Sequence, residues 1–185
     1  MIDRDPMVQI LADRVAIHDC LTRYCRAIDR LDRELLLSVY HDDAIDDHGV
    51  FVGGPQAFAD WALAYHSRAQ YVTQHIITNH SCDLDGDVAH TETYYQLAAM
   101  NKQGAALTLS GGRYIDRFER RNGRWAIAVR KLVGDWAGVP GEAILSPAGR
   151  AALNSGATPA RDKSDPSYDR PLTTNTSRIG YEYRW

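Results

Sequence analysis

Apolar side chains recur at Ile10, Leu11, Val15, Ile17, Leu21, Tyr24, Cys25, Ile28 and Leu31, the three-and-four spacing of a single helix face. The spacing predicts a first helix over about residues 7–30. Asp32 precedes RELLLSVY, where a carboxylate accepts the free amides of a new first turn, so it reads as the N-cap of a short second helix. HDDA, residues 41–44, stops that helix, IDDHGVFVG has the strand-then-glycine character of a hairpin, and Pro55 opens a third helix through FADWALAYHSRA.

After residue 70 the period becomes strand-like, and turn signals cut the chain at DLDGD (83–87), NKQG (101–104) and RNGR (121–124). Four strands result: YVTQHIITNHSC, VAHTETYYQLAAM, AALTLSGGRYIDRFER and RWAIAVRKLVGDW. Short connections make neighbours antiparallel, and the Gly111–Gly112 pair within a long strand predicts a bend or bulge that curls the sheet. The expected fold is α+β: a cone-shaped, strongly curved, mostly antiparallel sheet wrapped by N-terminal helices and enclosing a pocket.

From Ala137 onward the texture shifts. Five of the seven prolines fall there, beside one short helical stretch, GEAILSPAGRAALN, and a polar tail ending SRIGYEYRW. The expected organisation is a pocket domain over 1–136 and an extension over 137–185 that packs on the domain or on a neighbouring subunit. A homodimer or homotrimer is expected, with Tyr181, Tyr183 and Trp185 near the contact.

Composition narrows the function classes. A chain of 185 residues with 44% hydrophobic and 24% charged residues suits one globular domain. The net charge of −3 and dispersed basic residues leave no footprint for nucleic acid. The N-terminus carries acidic residues and no long apolar run, and no stretch reaches membrane-spanning length, so a soluble cytoplasmic protein is expected. Cys20, Cys25 and Cys82 are odd in number and lack CxxC spacing, which reads as buried thiols. GxGxxG, P-loop and GxSxG motifs are absent, and the seven histidines form no metal-ligand spacing, so neither a cofactor nor a metal is expected.

A polar set remains. His75 in TQHIITNH shares a strand face with Thr73, Ile77 and Asn79, while strict alternation turns His80 the other way. If His75 looks into the pocket, a first-helix carboxylate can hold its ring in one tautomer and stabilise the imidazolium, and Asp29 is the candidate. At about 100° per residue, Asp29 lies at one edge of the apolar stripe and Tyr24 near the other. From spacing alone the structural reading is preferred. His75 then satisfies the core, Asp29 makes surface ion pairs beside Arg30 and Arg33, and Tyr24 is a core aromatic.

The order helix, helix, hairpin, helix, curved strands resembles the nuclear transport factor 2-like superfamily. The stretches "YCRAIDRLDRELLLSVYHDDA", "HGVFVGGPQAFADW", "TQHIITNHSCDLDGDVAHTETYY" and "GGRYIDRFERRNGRWAIAVRKL" resemble its SnoaL-like branch over about residues 8–136. Within it the sequence is most similar to cofactor-free lyases: hexachlorocyclohexane dehydrochlorinase, bile acid 7α-dehydratase and scytalone dehydratase. The resemblance implies a catalytic His75, in a TxH...N strand, and Asp29, in an A-x-D-x-x-D helix end. It places Tyr24 where the bile acid enzyme has tyrosine and the dehydrochlorinase lysine, which favours an oxygen leaving group or carbonyl over a halide. The dehydratases carry a further acid or histidine on the strand after His75, where this chain has Tyr94, Tyr95, Gln96 and Met100. The dehydrochlorinase has another cation near Arg130, Lys131, Asp135 and Trp136, which read here as surface or sheet charges and their neighbours.

The expectation is thus a cofactor-independent lyase acting on a small hydrophobic cyclic or aromatic substrate. His75 takes a proton, Asp29 orients it, and Tyr24 hydrogen-bonds the leaving or carbonyl oxygen. Trp61, Phe58, Tyr95, Ile77, Leu109 and Trp136 form the expected substrate wall, with Leu21, Ile28 and Leu107. Deprotonation of a hydroxyl would instead drive retro-aldol cleavage, as in lignin-derived diarylpropane formaldehyde lyases. A ketosteroid-type isomerase, the small subunit of a ring-hydroxylating dioxygenase and a ligand-binding module are the remaining alternatives.

Overall fold

The computed structural model describes residues 6–141, 160–165, 168–169 and 171. Helix α1 spans Pro6–Arg30 and buries Ile17, Cys20, Leu21, Tyr24, Ala27 and Ile28 on one side. Its first half departs from the expected stripe: Ile10, Leu11 and Val15 are exposed, and Asp13 is the inward residue. Asp13 accepts hydrogen bonds from Trp125 Nε1 at 2.8 Å and Arg120 Nη1 at 3.0 Å. A polar anchor thus holds this half of the helix to the sheet, while the apolar side chains of Ile10, Leu11 and Val15 stay outside. Asp32 caps α2 (Arg33–Leu37), its carboxylate accepting the Leu35 N–H at 3.0 Å.

The second helix ends at Leu37, earlier than expected, with Ser38 as its C-cap, and HDDA lies inside a strand, β1 (Tyr40–Asp47), which pairs antiparallel with the short β2 (Val52–Gly53). Pro55 occupies the first turn of α3 (Pro55–Ala69), where its missing N–H is no loss. Four long strands follow: β3 (Gln70–Asp85), β4 (Val88–Asn101), β5 (Leu107–Arg121) and β6 (Arg124–Gly138). The β5–β6 hairpin turns at Asn122 and Gly123, both at positive φ, as an Asn-Gly turn allows.

The sheet order is β2-β1-β6-β5-β4-β3, antiparallel throughout except for the parallel β1–β6 pair. The sheet is curved and unclosed, and with the N-terminal helices it makes an α+β fold. Curvature comes in part from the Gly111–Gly112 pair, where the β5–β6 register slips. A Cβ on Gly112 would run into the Val133 carbonyl, and one on Gly111 into the Trp136 indole. Part of the extension lies against the domain. Arg161 Nη1 donates to the carbonyls of His66 and Gln70 at 2.7 and 2.9 Å, and Tyr168 OH to Asp32 at 2.8 Å. The expected helix after Gly141 and the aromatic end at Tyr181, Tyr183 and Trp185 lie outside the described residues.

Candidate active site

Asp29 sits in the last turn of α1, where β3 passes. The His75 backbone N–H donates to both carboxylate oxygens, at 3.0 and 3.2 Å, and the His75 ring meets Oδ1 through Nδ1 at 2.7 Å. The two side chains are 12% and 6% exposed. With the Nδ1 proton turned to the carboxylate, a neutral ring carries its lone pair on Nε2, which has no partner among the described residues. That is the arrangement of a base.

The expectation that His80 turns away from His75 is overturned. The β3–β4 register slips between Ile77 and His80, and this extra residue reverses the alternation. His75 and His80 therefore share the inward face, but His80 lies farther along it, bonded to Thr93 Oγ1 at 2.9 Å and edge-on to His18 at 5.8 Å.

His75 borders two spaces. Outside is an open groove of about 560 Å³ between α1 and β3, where Asp29, Arg26, Arg30, Thr73 and Ile77 also lie. Inside is a more enclosed cavity of about 140 Å³. The helices supply Tyr24 and Ile28 from α1 and Phe58, Trp61, Tyr65 and His66 from α3; the sheet supplies Tyr95, Leu97, Tyr114 and Leu132, and His48 follows β1. Tyr95 and Tyr114 stack at 4.6 Å, and Tyr24 lies parallel to Phe58 at 6.4 Å.

The expected wall residues therefore divide. Tyr24, Ile28, Phe58, Trp61, Tyr95 and His75 meet at the cavity. Ile77 faces the outer groove, Leu109 and Leu107 are half-buried along β5 away from the cavity, and Leu21 is core. Trp136 is 49% exposed, because its indole covers Gly111 on the outside of the sheet. Tyr24 is not at the margin of its stripe but wholly buried. Burial holds its phenol, like those of Tyr40 and Tyr114, well above the ordinary range, so all three remain neutral hydroxyl groups.

Two groups escaped the sequence reading. Arg130 is no surface charge: it is fully buried, bonded to Asp116 through Nε and Nη2 at 2.8 Å each, and its guanidinium lies 4.2 Å from the ring centres of both Tyr24 and Tyr114. Strand pairing sets Leu132, Arg130 and Ile127 opposite Tyr114, Asp116 and Phe118, with one opposite charge on each inward row; the slip between Arg117 and Phe118 breaks simple alternation along the row of Arg130. His48 is the other. Its Nδ1 lies 2.6 Å from Asp46 Oδ1, and Tyr40 OH donates to Asp46 Oδ2 at 2.5 Å. Asp46 and His48 stand two apart at a strand end, a spacing that puts both on one face.

A third histidine is of a different kind. His66 faces the His75 ring edge-on at 5.4 Å, and its Nδ1 meets the Gln70 amide oxygen at 2.9 Å rather than a carboxylate. Burial, with the neighbouring His75, pulls it down to about 4, so it stays neutral at physiological pH. Cys20, Cys25 and Cys82 are free and buried, and burial pushes the first two up to about 12. Among the described residues no three His, Cys, Asp or Glu side chains converge as a metal-ligand set, and no helix is long and apolar enough to cross a membrane.

A curved α+β cone with a histidine–carboxylate pair at an aromatic-walled cavity defines the class. The chain belongs to the SnoaL-like domain family, whose sequence profile matches residues 9–131. Among solved structures, a hexachlorocyclohexane dehydrochlorinase of type 2 superposes with a TM-score of 0.70 at 22% identity, over 76% of this chain and 97% of that one. A proposed scytalone dehydratase of Novosphingobium aromaticivorans gives 0.67 at 19% identity, over 78% and 99%. A proposed aromatic ring hydroxylase of the same organism gives 0.59 at 24% identity, over 67% and 94%. At these identities the likeness shows the fold. A search of proteins of curated function finds no match by sequence.

Proposed function

We infer that the protein is a cofactor-independent lyase whose base is His75. The observation that carries this reading is the 2.7 Å pair of His75 Nδ1 with Asp29, which leaves Nε2 without a partner among the described residues on a residue lining the cavity. Asp29 fixes the tautomer and stabilises the imidazolium that forms, and proton transfer of this kind typically contributes about 10²- to 10⁴-fold. Tyr24, kept neutral by burial, offers its hydroxyl to a carbonyl or leaving oxygen, and Arg130 beneath its ring biases the site toward developing negative charge.

The cavity speaks for a one-ring substrate. A cavity of roughly 150 Å³ accommodates a benzene-sized molecule, and this one measures about 140 Å³. That favours a single hydrophobic ring over a two-ring diarylpropane. The test is turnover of a panel of hydroxylated, halogenated and aryl-propane substrates by chelator-treated wild type, His75→Ala and Asp29→Asn. The reading expects turnover of a one-ring substrate that survives chelation and falls about 10²- to 10⁴-fold in His75→Ala. No turnover, or turnover indifferent to both substitutions, would overturn it.

A further inference from the structure

Resting on that reading, we propose that His48 is a second catalytic residue: the general acid that protonates a departing hydroxyl while His75 takes the proton from carbon. The two residues come from strands far apart in the sheet. His48 follows β1 and His75 lies on β3, with β6, β5 and β4 between them in the order. Curling of the sheet brings both rings to one cavity of about 140 Å³, so a single bound ring can meet both. His48 packs on Phe58 at 4.9 Å, on Trp61 at 6.1 Å and on Tyr114 at 6.5 Å, which fixes the plane of its imidazole.

The chemistry follows from which nitrogen is committed. His48 Nδ1 faces Asp46, so Nε2, without a partner among the described residues, is the atom left to serve the cavity. The two carboxylates that orient these rings have different surroundings. Asp29 spreads its charge over the backbone N–H of His75 and borders the groove that holds Arg26 and Arg30. Asp46 is 1% exposed, its second oxygen accepts the neutral Tyr40 hydroxyl, and it stands opposite the buried Arg130 in the β1–β6 register. With His75 as the base, the acid role falls to His48, whose Nδ1 is oriented by Asp46 and whose ring lines the same cavity.

For a ring ketone with a hydroxyl at its β carbon, the step balances as follows. His75 Nε2 takes the proton on the α carbon, and the C–H pair becomes the new C=C bond. The C–O bond breaks with its pair going to oxygen, and the proton on His48 Nε2 moves to that oxygen, releasing water. His75 ends charged and His48 neutral, and exchange with solvent restores both.

The test uses two probes, 3-hydroxycyclohexanone and 3-chlorocyclohexanone, with spontaneous elimination subtracted. Chloride leaves without a proton, so the acid matters for one probe only. His48→Gln is expected to lower kcat/KM for the hydroxy ketone about 10²-fold or more beyond any loss it causes with the chloro ketone, whereas His75→Ala removes both. If His75→Ala removes both but His48→Gln spares the hydroxy ketone, or depresses the two probes equally, the acid role of His48 is overturned and the base reading stands. If wild type turns over neither probe, or His75→Ala changes nothing, the base reading falls and this proposal with it.

Should His48→Gln fail to fold by circular dichroism, wild-type pH profiles decide. The groups around His48 are Asp46 and Tyr40 from β1, Tyr24 from α1, Tyr114 and Asp116 from β5, Arg130 from β6 and His66 from α3. Of these, burial keeps the phenols and His66 neutral near pH 7. An acid needed for one leaving group only gives a bell-shaped profile with the hydroxy ketone and a rise to a plateau with the chloro ketone. Identical profiles overturn the proposal.

Discussion

His75–Asp29 and His48–Asp46 join the same two groups at nearly the same distance, 2.7 and 2.6 Å, yet the first borders an open groove and the second is walled in beside Arg130 and Asp116. The outer carboxylate is held by a backbone N–H; the inner one is held by a buried phenol. The difference shows how two similar pairs can be given different work. One carboxylate orients its ring at the wall between groove and cavity, whereas the other orients its ring beside a buried cation.

The comparison breaks most severely at its floor. Asp116→Asn leaves the fully buried Arg130 guanidinium without its counter-charge, and such a loss costs about 3–5 kcal/mol, so the thermal midpoint should drop sharply or folding fail. Next is the contrast itself. Asp46→Ala strands the buried Tyr40 hydroxyl and His48 and should cost about 2–3 kcal/mol in urea unfolding, against about 1 kcal/mol for Asp29→Ala, whose partners lie near the groove. Equal costs would remove the distinction between a housed and an open pair.

His66, with no carboxylate, sharpens the contrast through pH. Its folded value is pulled down to about 4 from 6.5, so between these values the unfolded chain holds more protons and stability falls as pH falls. At pH 5 the loss relative to pH 7 should be about 2 kcal/mol, and His66→Gln should flatten it, as urea melts at the two pH values would show. The smallest effect belongs to Tyr24→Phe. The ring stays on Arg130, so stability should change by about 1 kcal/mol or less by thermal melting.

Much of this frame was legible in the chain. Asp32 as a cap, Pro55 at a helix start and Asn122–Gly123 at a hairpin are local chemistry, and local chemistry carries over from sequence to structure. His75 and Asp29 were legible as candidates because strand and helix periods place each on a definable face. His80 was misplaced because a bulge changes the phase of alternation, and no single residue in TNHS announces it. Arg130 was misread because a charge in a strand is normally solvated, and only its cross-strand partner Asp116 makes burial tolerable. Trp136 was misread because aromatic area also serves to cover glycine on the outside of a bend. What spacing could not show was which side of a curved sheet each row would face.

The most direct test of the central claim is proton exchange at carbon. Cyclohexanone incubated with the protein in D₂O should gain deuterium at its α carbon with wild type and with His48→Gln, because removing that proton needs only the base, and should gain none above background with His75→Ala. Exchange that persists in His75→Ala, or that never exceeds background in wild type, would contradict His75 as the carbon base.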